Sequence, residues 1–227
     1  DPGPATFTPR QVAVALGVSE SSIKRWCDQG RLPMIRTAGG HRRLAYADVL
    51  AFVRAQGLSL SRPELLQLPA STRTAPRTLN QSHDVMAAAL IEGNVALARR
   101  IVFDLYLSGA SLVTICDELL ADVFRQIGEL WACQSADVYQ ERRACEITRR
   151  ILEEIRLQLP RPSAAAPVAI GGTIEGDHYS LATTMAELAL NEAGWQAVSL
   201  GAALPVPSFA VALENLKPRL FWLSVSH

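Results

Sequence analysis

The sequence lacks the features that define several classes of protein. No hydrophobic run among its 227 residues approaches the roughly 18 residues that a membrane span needs, and its first four residues contain no signal-peptide core. It has no net charge, since 22 Lys and Arg balance 22 Asp and Glu. The 49% of hydrophobic residues exclude a mainly disordered chain. We therefore expect a soluble, cytoplasmic protein that does not enter membranes.

Cysteine is also scarce. The four cysteines, Cys27, Cys116, Cys133 and Cys145, lie far apart and form no Cys-x-x-Cys pair. Zinc fingers and disulfide frameworks need closer or more regular spacing. The sequence therefore predicts neither, and buried free thiols are expected instead.

The zero net charge conceals an excess of positive charge near the N terminus. Residues 1–60 carry eight basic side chains and four acidic ones, which indicates a basic module joined to a different remainder. Within it, Thr8 is placed to cap a short helix that ends at Gly17, and Ser19 is placed to cap a second helix through Asp28. Two short helices around a glycine turn predict a helix-turn-helix.

The second helix and the segment after it carry candidate DNA contacts. Residues 30–44 are typical of a strand, a Gly-Gly turn and a second strand, which together form a basic wing suited to the phosphate backbone or minor groove. Small side chains let a helix approach the major groove, where Lys and Arg reach phosphates and guanine edges. The two helices alone also fit a helical domain with a solvated basic face. The candidate contacts are Ser21, Ser22, Lys24, Arg25, Arg36, Thr37, His41, Arg42 and Arg43.

The remainder of the chain divides into three predicted segments. Residues 59–79, with three prolines and many Ser and Thr, predict a flexible linker with one short helical turn. Residues 80–160 repeat apolar residues at helical spacing, which predicts an up-down four-helix bundle. Residues 161–227 alternate strands and helices, which predicts a Rossmann-like parallel sheet with a ligand crevice. With only three strands, this last domain is expected to be incomplete.

The predicted fold class is thus multidomain, α and α/β, with a winged helix-turn-helix domain at 1–58. Residues 6–57 resemble the winged-helix DNA-binding domain of the MerR family. The matching motifs are Phe7-Thr8-Pro9, Gly17-Val18-Ser19, Ile23-Lys24-Arg25-Trp26 and Gly39-Gly40-His41-Arg42-Arg43.

The bundle and the α/β half resemble the cobalamin-binding module shared by methionine synthase and the CarH light-dependent repressors. The order of the whole chain is similar to CarH. In the bundle of that family, a Trp is followed after nine residues by Glu-His. Here Trp131 is followed after nine residues by Glu141 and Arg142, so Arg142 replaces the histidine. The resemblance implies that Trp131 and Glu141 lie over the upper face of a flat ring. A core tryptophan and a solvated glutamate are the alternative.

The second cofactor motif of that family is a Gly-acid-x-His-x-x-Gly loop whose histidine binds cobalt from below. The corresponding loop here begins Gly176-Asp177-His178-Tyr179. Tyr179 stands at the position of the ligand histidine, and Ala182 replaces the second glycine. His178 is one position away, so the metal ligand is left open between His178 and Tyr179.

The resemblance implies a transcriptional regulator, not an enzyme, that binds double-stranded DNA and associates as a homo-oligomer, a dimer or a tetramer. In CarH-like proteins adenosylcobalamin promotes tetramer formation and operator binding, and light releases the DNA. Because the ligand histidine is replaced, haem, a bilin or no cofactor are alternatives to cobalamin: tyrosine ligates haem iron, and Arg142 suits a propionate. A corrinoid carrier or a methyltransferase-type module is the alternative function.

Overall fold

A computed structural model describes residues 6–69, 79–133, 137–160 and 162–225, without the side chain of Trp131. The chain divides into two compact units. The first comprises Asp1–Ala89 and Asn94–Ala110, and the second comprises Leu90–Gly93 and Ser111–His227. No helix among the described residues is both long and apolar enough to cross a membrane.

The first unit is a winged helix-turn-helix followed by two longer helices. Its elements are β1 (Thr6–Phe7), α1 (Pro9–Leu16), α2 (Glu20–Asp28), β2 (Ile35–Arg36), β3 (Arg42–Ala45), α3 (Tyr46–Gln56), a 3-10 turn (Pro63–Leu66), most of α4 (Leu79–Glu92) and α5 (Val95–Leu107).

Local sequence accounts for the helix-turn-helix. The Thr8 hydroxyl accepts the N–H of Gln11 at 3.2 Å, and the Gln11 side chain accepts the N–H of Thr8 at 2.9 Å, which forms a capping box. Gly17 ends α1 in the left-handed conformation, at φ +67°. Ser19 then caps α2, accepting the N–H of Ser22 at 3.1 Å. The predicted helix boundaries and caps are confirmed here.

The predicted wing is also confirmed. Strands β2 and β3 pair antiparallel, with Ile35 opposite Arg43, and the turn between them closes where the N–H of Gly40 donates to the Thr37 carbonyl at 2.8 Å. Strand β3 also pairs with β1, which sequence reasoning missed because β1 has only two residues.

The segment after α3 differs from the predicted flexible linker. Leu66 is fully buried, and the N–H of Ser61 donates to the Ala15 carbonyl at 2.8 Å. The burial of Leu66 and this backbone hydrogen bond hold the segment against α1, although its Pro- and Ser-rich composition is typical of a flexible linker. Residues 70–78 of the predicted linker lie outside the described residues, and the predicted domain boundaries remain predictions.

Helix α5 packs against α3 within the first unit. The guanidinium of Arg54, on α3, donates to the carbonyl of Ala110 at 2.9 Å and lies 3.7 Å from the ring centre of Tyr106. Buried Ile101 and Leu105 lie on the same helix. The winged domain and α5 thus share a hydrogen bond and a cation–π contact.

The second unit combines helices with a small parallel sheet. Its elements are α6 (Leu112–Thr114), a π-helical turn (Ile115–Leu120), α7 (Ala121–Ala132), α8 (Val138–Arg156), β4 (Val168–Thr173), α9 (Leu181–Glu192), β5 (Gln196–Ser199), α10 (Val206–Leu216) and β6 (Leu220–Ser224). All four predicted bundle helices form, the third with a π-helical turn inside it. The helix-turn-helix region is followed by a helical bundle and a parallel sheet, which confirms the predicted fold class.

The sheet has the order β5-β4-β6 and is parallel throughout. Gly171 lets the indole of Trp222 lie directly against β4, since a Cβ at this position would be 2.1 Å from the ring. The Trp222 indole N–H donates to the Thr183 hydroxyl at 3.0 Å, which ties β6 to α9. On β5, the side-chain amide of Asn191 bonds both the N–H of Ala197, at 3.1 Å, and its carbonyl, at 3.2 Å.

The four cysteines are free thiols, as predicted. Cys27 and Cys116 are buried, but Cys133 is exposed and Cys145 is half-buried. The expectation of burial is therefore wrong for Cys133, which lies beyond the last residue of α7.

Candidate DNA-binding surface and ligand cavity

The first candidate site is the DNA-binding surface, defined by the outward face of α2 and by the wing. Ser21, Lys24 and Arg25 are exposed on α2, while Ile23 is buried beneath them. Ser22 is half-buried and contacts the helix cap, its hydroxyl lying 2.9 Å from that of Ser19. The pattern that predicted this surface was the alternation of apolar and polar residues along α2.

The tip of the wing presents Arg36, Thr37 and His41, which are all exposed. Thr37 also builds the turn: its N–H donates to the His41 carbonyl at 2.9 Å, and its hydroxyl accepts the N–H of His41 at 3.2 Å. Thr37 therefore fixes the shape of the turn, which carries Arg36 and His41 at the tip of the wing.

Arg42 has a different environment from the other candidate contacts. Its guanidinium lies 2.8 Å from the Asp28 carboxylate, with 21% of its side chain exposed, and donates to the Lys24 carbonyl at 3.1 Å. These bonds join the wing to the end of α2. The Arg42 charge is therefore already paired with the Asp28 carboxylate, a side chain that is itself 55% exposed.

The cations available to DNA are consequently fewer than the sequence indicates. Lys24 pairs with Glu20 at 2.8 Å, but both side chains are about half exposed, so solvent screens the pair and leaves it easily exchanged. Arg25, Arg36 and Arg43 have no ion pair within the described part of the chain. These three arginines form the cationic part of the surface.

The second candidate site is a cavity of about 580 Å³ in the second unit. It lies between α7, α8 and the loop that leads into α9. Its walls are mainly apolar, with polar groups on α8 and on the loop. The lining residues are Ala121, Phe124, Gly128, Val138, Glu141, Arg142, Cys145, Tyr179, Leu181, Ala182 and Met185.

The loop after β4 places Tyr179 at the wall of this cavity, with 40% of the residue still exposed. Gly176 takes a positive φ of +88°, and the Asp177 carboxylate accepts the N–H of Tyr179 at 3.0 Å. The Asp177 carbonyl accepts the N–H of Ala203 at 3.0 Å and the hydroxyl of Thr173. Asp177 thus fixes the loop through its carboxylate, which binds Tyr179, and through its carbonyl, which binds Thr173 and Ala203.

Of the two candidate metal ligands, Tyr179 lines the cavity. His178 and Tyr179 are both exposed, but His178 is not among the lining residues. The side chain of Trp131 lies outside the described residues, so its predicted place above a ring stays a prediction. Gly176 and Asp177 shape the loop and do not line the cavity.

Polar groups on α8 face the loop. The Arg142 guanidinium lies 4.6 Å from the ring centre of Tyr179, and its Nε lies 3.9 Å from Oε2 of Glu141. Glu141 Oε1 accepts the thiol of Cys145 at 3.8 Å. Burial, with the nearby Glu141 carboxylate, raises the pKa of Cys145 to about 12. The thiol therefore stays protonated at neutral pH.

Sequence reasoning predicted Glu141, Arg142 and Tyr179 at the cavity but missed its apolar walls and Cys145. A signal existed in the spacing: Phe124 and Gly128 are four residues apart on α7, and Glu141 and Cys145 are four apart on α8. Residues at this spacing share one helix face. The sequence did not show which faces would meet across the cavity.

The cavity fits a flat, largely apolar group better than a histidine-bound metal. Phe124, Leu181 and Met185 contribute apolar side chains to its wall. No histidine lines the cavity, and no cluster of three or more metal-ligating side chains occurs among the residues that the structure describes. The walls therefore suit a macrocycle, but its metal would lack an imidazole from this loop.

Two protein families match the chain. The helix-turn-helix domain family matches residues 6–57, and the B12 binding domain family matches residues 83–156. The chain is also similar to the transcriptional repressor DcmR of Methylorubrum extorquens, at 34% identity over 77 residues, which cover 34% of this chain and 29% of the repressor. The match thus spans under a third of that relative.

Among solved structures, the monomethylamine corrinoid protein of Methanosarcina barkeri is similar, with a TM-score of 0.52 and 18% identity over 64% of this chain and 69% of that protein. At this identity the likeness shows the fold alone.

A helix-turn-helix domain followed by a B12 binding domain, with a repressor as relative, fits a CarH-like regulator. The chain thus has one region similar to helix-turn-helix domains and a second region similar to B12 binding domains. Membership of the MerR family stays a prediction.

Proposed function

We propose that the chain is a transcriptional regulator whose corrinoid-type module senses a tetrapyrrole ligand, light or both, and thereby controls oligomerisation and operator binding. The observation that carries this proposal is the pair of matched domains in one chain, one for DNA and one for a corrinoid. The DNA-binding surface and the cavity give each domain a site of suitable chemistry.

On the DNA side, α2 enters the major groove and the wing contacts the backbone. Arg25, exposed on α2, is the candidate for reading a guanine edge. Arg36 and Arg43 lie on the wing and neutralise phosphates. Arg42 does not contact DNA directly but holds the wing against α2 through Asp28.

On the ligand side, apolar residues of α7 and α9 hold a macrocycle, and Glu141, Arg142 and Tyr179 contact its polar periphery. A corrinoid with an alkyl group on cobalt supplies a bond that light breaks. The cavity residues exclude water from one side of the ligand, which lets occupancy change how the second unit packs.

Oligomerisation is expected because a single winged domain contacts too few base pairs for tight, specific binding. One winged domain covers a short site, and two joined copies bind paired half-sites with higher effective concentration. We therefore expect a dimer or a tetramer, controlled by the ligand.

The test combines three measurements on the full chain. Selection from random duplexes identifies an operator, fluorescence anisotropy gives its Kd with and without adenosylcobalamin in the dark and after illumination, and light scattering gives the mass. We expect at least a tenfold change in operator Kd, together with a change of mass. The absence of any preferred duplex would exclude a role in operator binding. An operator Kd that adenosylcobalamin, haemin and light all leave unchanged would exclude a role in sensing them.

A corrinoid carrier is the second candidate, since the similar solved structure is a corrinoid protein. A carrier would bind cobalamin, visible in its absorption spectrum, without selecting any DNA sequence.

A further inference from the structure

The cavity lacks the imidazole that would bind a metal from the loop side. We propose that it takes a corrinoid without any histidine of this chain on the cobalt, and that Tyr179 and Arg142 form its polar wall instead. This inference rests on the proposed function, because it concerns how the same cavity holds its ligand.

The loop geometry makes the position of Tyr179 difficult to change. The N–H of Tyr179 is bonded to the Asp177 carboxylate at 3.0 Å, and the N–H of Ala203 is bonded to the Asp177 carbonyl at 3.0 Å. A shift of one residue that brought His178 inward would break the first bond and displace Leu181 from the cavity wall. The loop therefore favours the register that places Tyr179 at the cavity wall, where 40% of the residue stays exposed.

Helix α8 holds Tyr179 from the opposite side. The Arg142 guanidinium lies 4.6 Å from the tyrosine ring centre, a cation–π distance. Arg142 is itself near the Glu141 carboxylate, at 3.9 Å. Since the two residues belong to different elements, both the loop and the helix would have to rearrange before another side chain could replace the phenol.

Cys145 is another side chain at the cavity that binds metals in proteins, but its thiol does not replace the histidine. The Cys145 thiol donates to Glu141 at 3.8 Å, and a metal binds the thiolate rather than the thiol. The half-buried position of this thiol beside the Glu141 carboxylate favours its protonated form. A corrinoid in this cavity would therefore meet the Tyr179 phenol, rather than an imidazole, on the side of the loop.

The test uses cob(II)alamin with the ¹⁵N-labelled full chain and electron paramagnetic resonance. A nitrogen of the corrinoid's own base splits the signal into three lines, whereas a labelled protein nitrogen splits it into two. We expect no two-line splitting in the wild type or in His178→Ala. Tyr179→His should introduce it and raise affinity at least tenfold. Two-line splitting in the wild type that His178→Ala abolishes would overturn the proposal.

A wild type that binds no cob(II)alamin would overturn both the corrinoid function and this proposal, whereas two-line splitting in a wild type that binds would overturn this proposal alone. A folded Tyr179→His variant that binds cob(II)alamin without two-line splitting would contradict the place of Tyr179 in the cavity wall.

Arg142→Gln provides an arm that keeps the loop sequence intact. It should change the cobalamin Kd at least threefold, because the contact with Tyr179 is lost. Arg149→Gln is the matched control: Arg149 lies on the same helix and pairs with Glu146 at 3.0 Å, and it does not line the cavity. Equal effects of the two variants would show that Arg142 acts only through general charge, which contradicts its place in the wall.

Discussion

The DNA-binding surface and the ligand cavity illustrate two kinds of predictability. The surface is made by residues close in sequence: α2 and the wing lie within about 25 residues, and their caps and turns follow local rules. The cavity is lined by α7, α8, the loop before α9 and α9 itself, and strand β4 separates α8 from that loop in the sequence. Local patterns therefore specify the first site, while the second depends on how distant faces meet.

The largest expected effect is a loss of stability caused by a substitution in the parallel sheet of the second unit. Gly171→Ala places a methyl group within 2.1 Å of the Trp222 indole, so overpacking should destabilise the second unit by about 1–3 kcal/mol. Chemical denaturation followed by Trp fluorescence measures this loss. Gly128→Ala is the control, because its Cβ meets no atom of the described residues within 4 Å. Unchanged operator binding would show that the DNA surface does not depend on this sheet, and equal stability of both variants would contradict the packing at Gly171.

The DNA-binding surface itself can be divided into residues that read bases and residues that bind phosphates. Arg25→Ala should cost about 1–3 kcal/mol on the selected operator and relax its sequence preference. Arg43→Ala should weaken binding to all duplexes and reduce the salt slope by about one. Anisotropy titrations over a range of salt concentrations measure both effects. A combined replacement of Lys24, Arg25, Arg42 and Arg43 that leaves operator binding intact would exclude this surface.

The ion pair between Arg42 and Asp28 predicts a change in DNA affinity opposite to the change expected from net charge alone. Removing the negative charge in Asp28→Asn should strengthen DNA binding if charge alone matters. Because Asp28 holds Arg42 at 2.8 Å and thereby holds the wing, we expect the operator Kd to rise about threefold to tenfold, as in Arg42→Ala, in line with the loss of a charge-assisted hydrogen bond.

Glu20→Gln is the matched control for that experiment. It removes a similar charge from α2 but disturbs only the exposed pair with Lys24. Tighter operator binding in Asp28→Asn, to the same degree as in Glu20→Gln, would show that Arg42 is simply another DNA contact.

The comparison also shows where sequence reasoning was sufficient. Thr8, Gly17 and Ser19 predicted the helix-turn-helix because capping and left-handed turns depend on the residue itself. The packed segment at Leu66 was missed because its leucine is buried by contacts with a distant helix, which composition does not reveal.

The cavity was only partly predictable for a similar reason. Glu141, Arg142 and Tyr179 were found from motif spacing, and all three line it. Arg42 was assigned to DNA because its type and position match a wing contact, and that contact stays a prediction, but its ion pair with Asp28, fourteen residues earlier, was not foreseen. Pairing partners across a turn are set by three-dimensional structure, so a charge pattern counts cations without showing which are already engaged.

The smallest expected effect concerns the pH dependence of the second unit. The pKa of Cys145 is raised from 9.0 to about 12, mainly by burial. A raised folded-state pKa means that the unfolded chain releases its thiol proton first, so the contribution to stability is complete below pH 9.0 and falls as pH rises toward about 12. Between pH 7 and 8.5, Cys145→Ala should therefore leave the pH dependence of the denaturation midpoint unchanged, and above pH 9.5 it should make the decline shallower. Cys133→Ala is the control, since that thiol is exposed. An identical alkaline decline in the Cys145 variant and the wild type would show that this thiol ionises freely in the folded protein, and that the cavity is wetter than its apolar lining indicates.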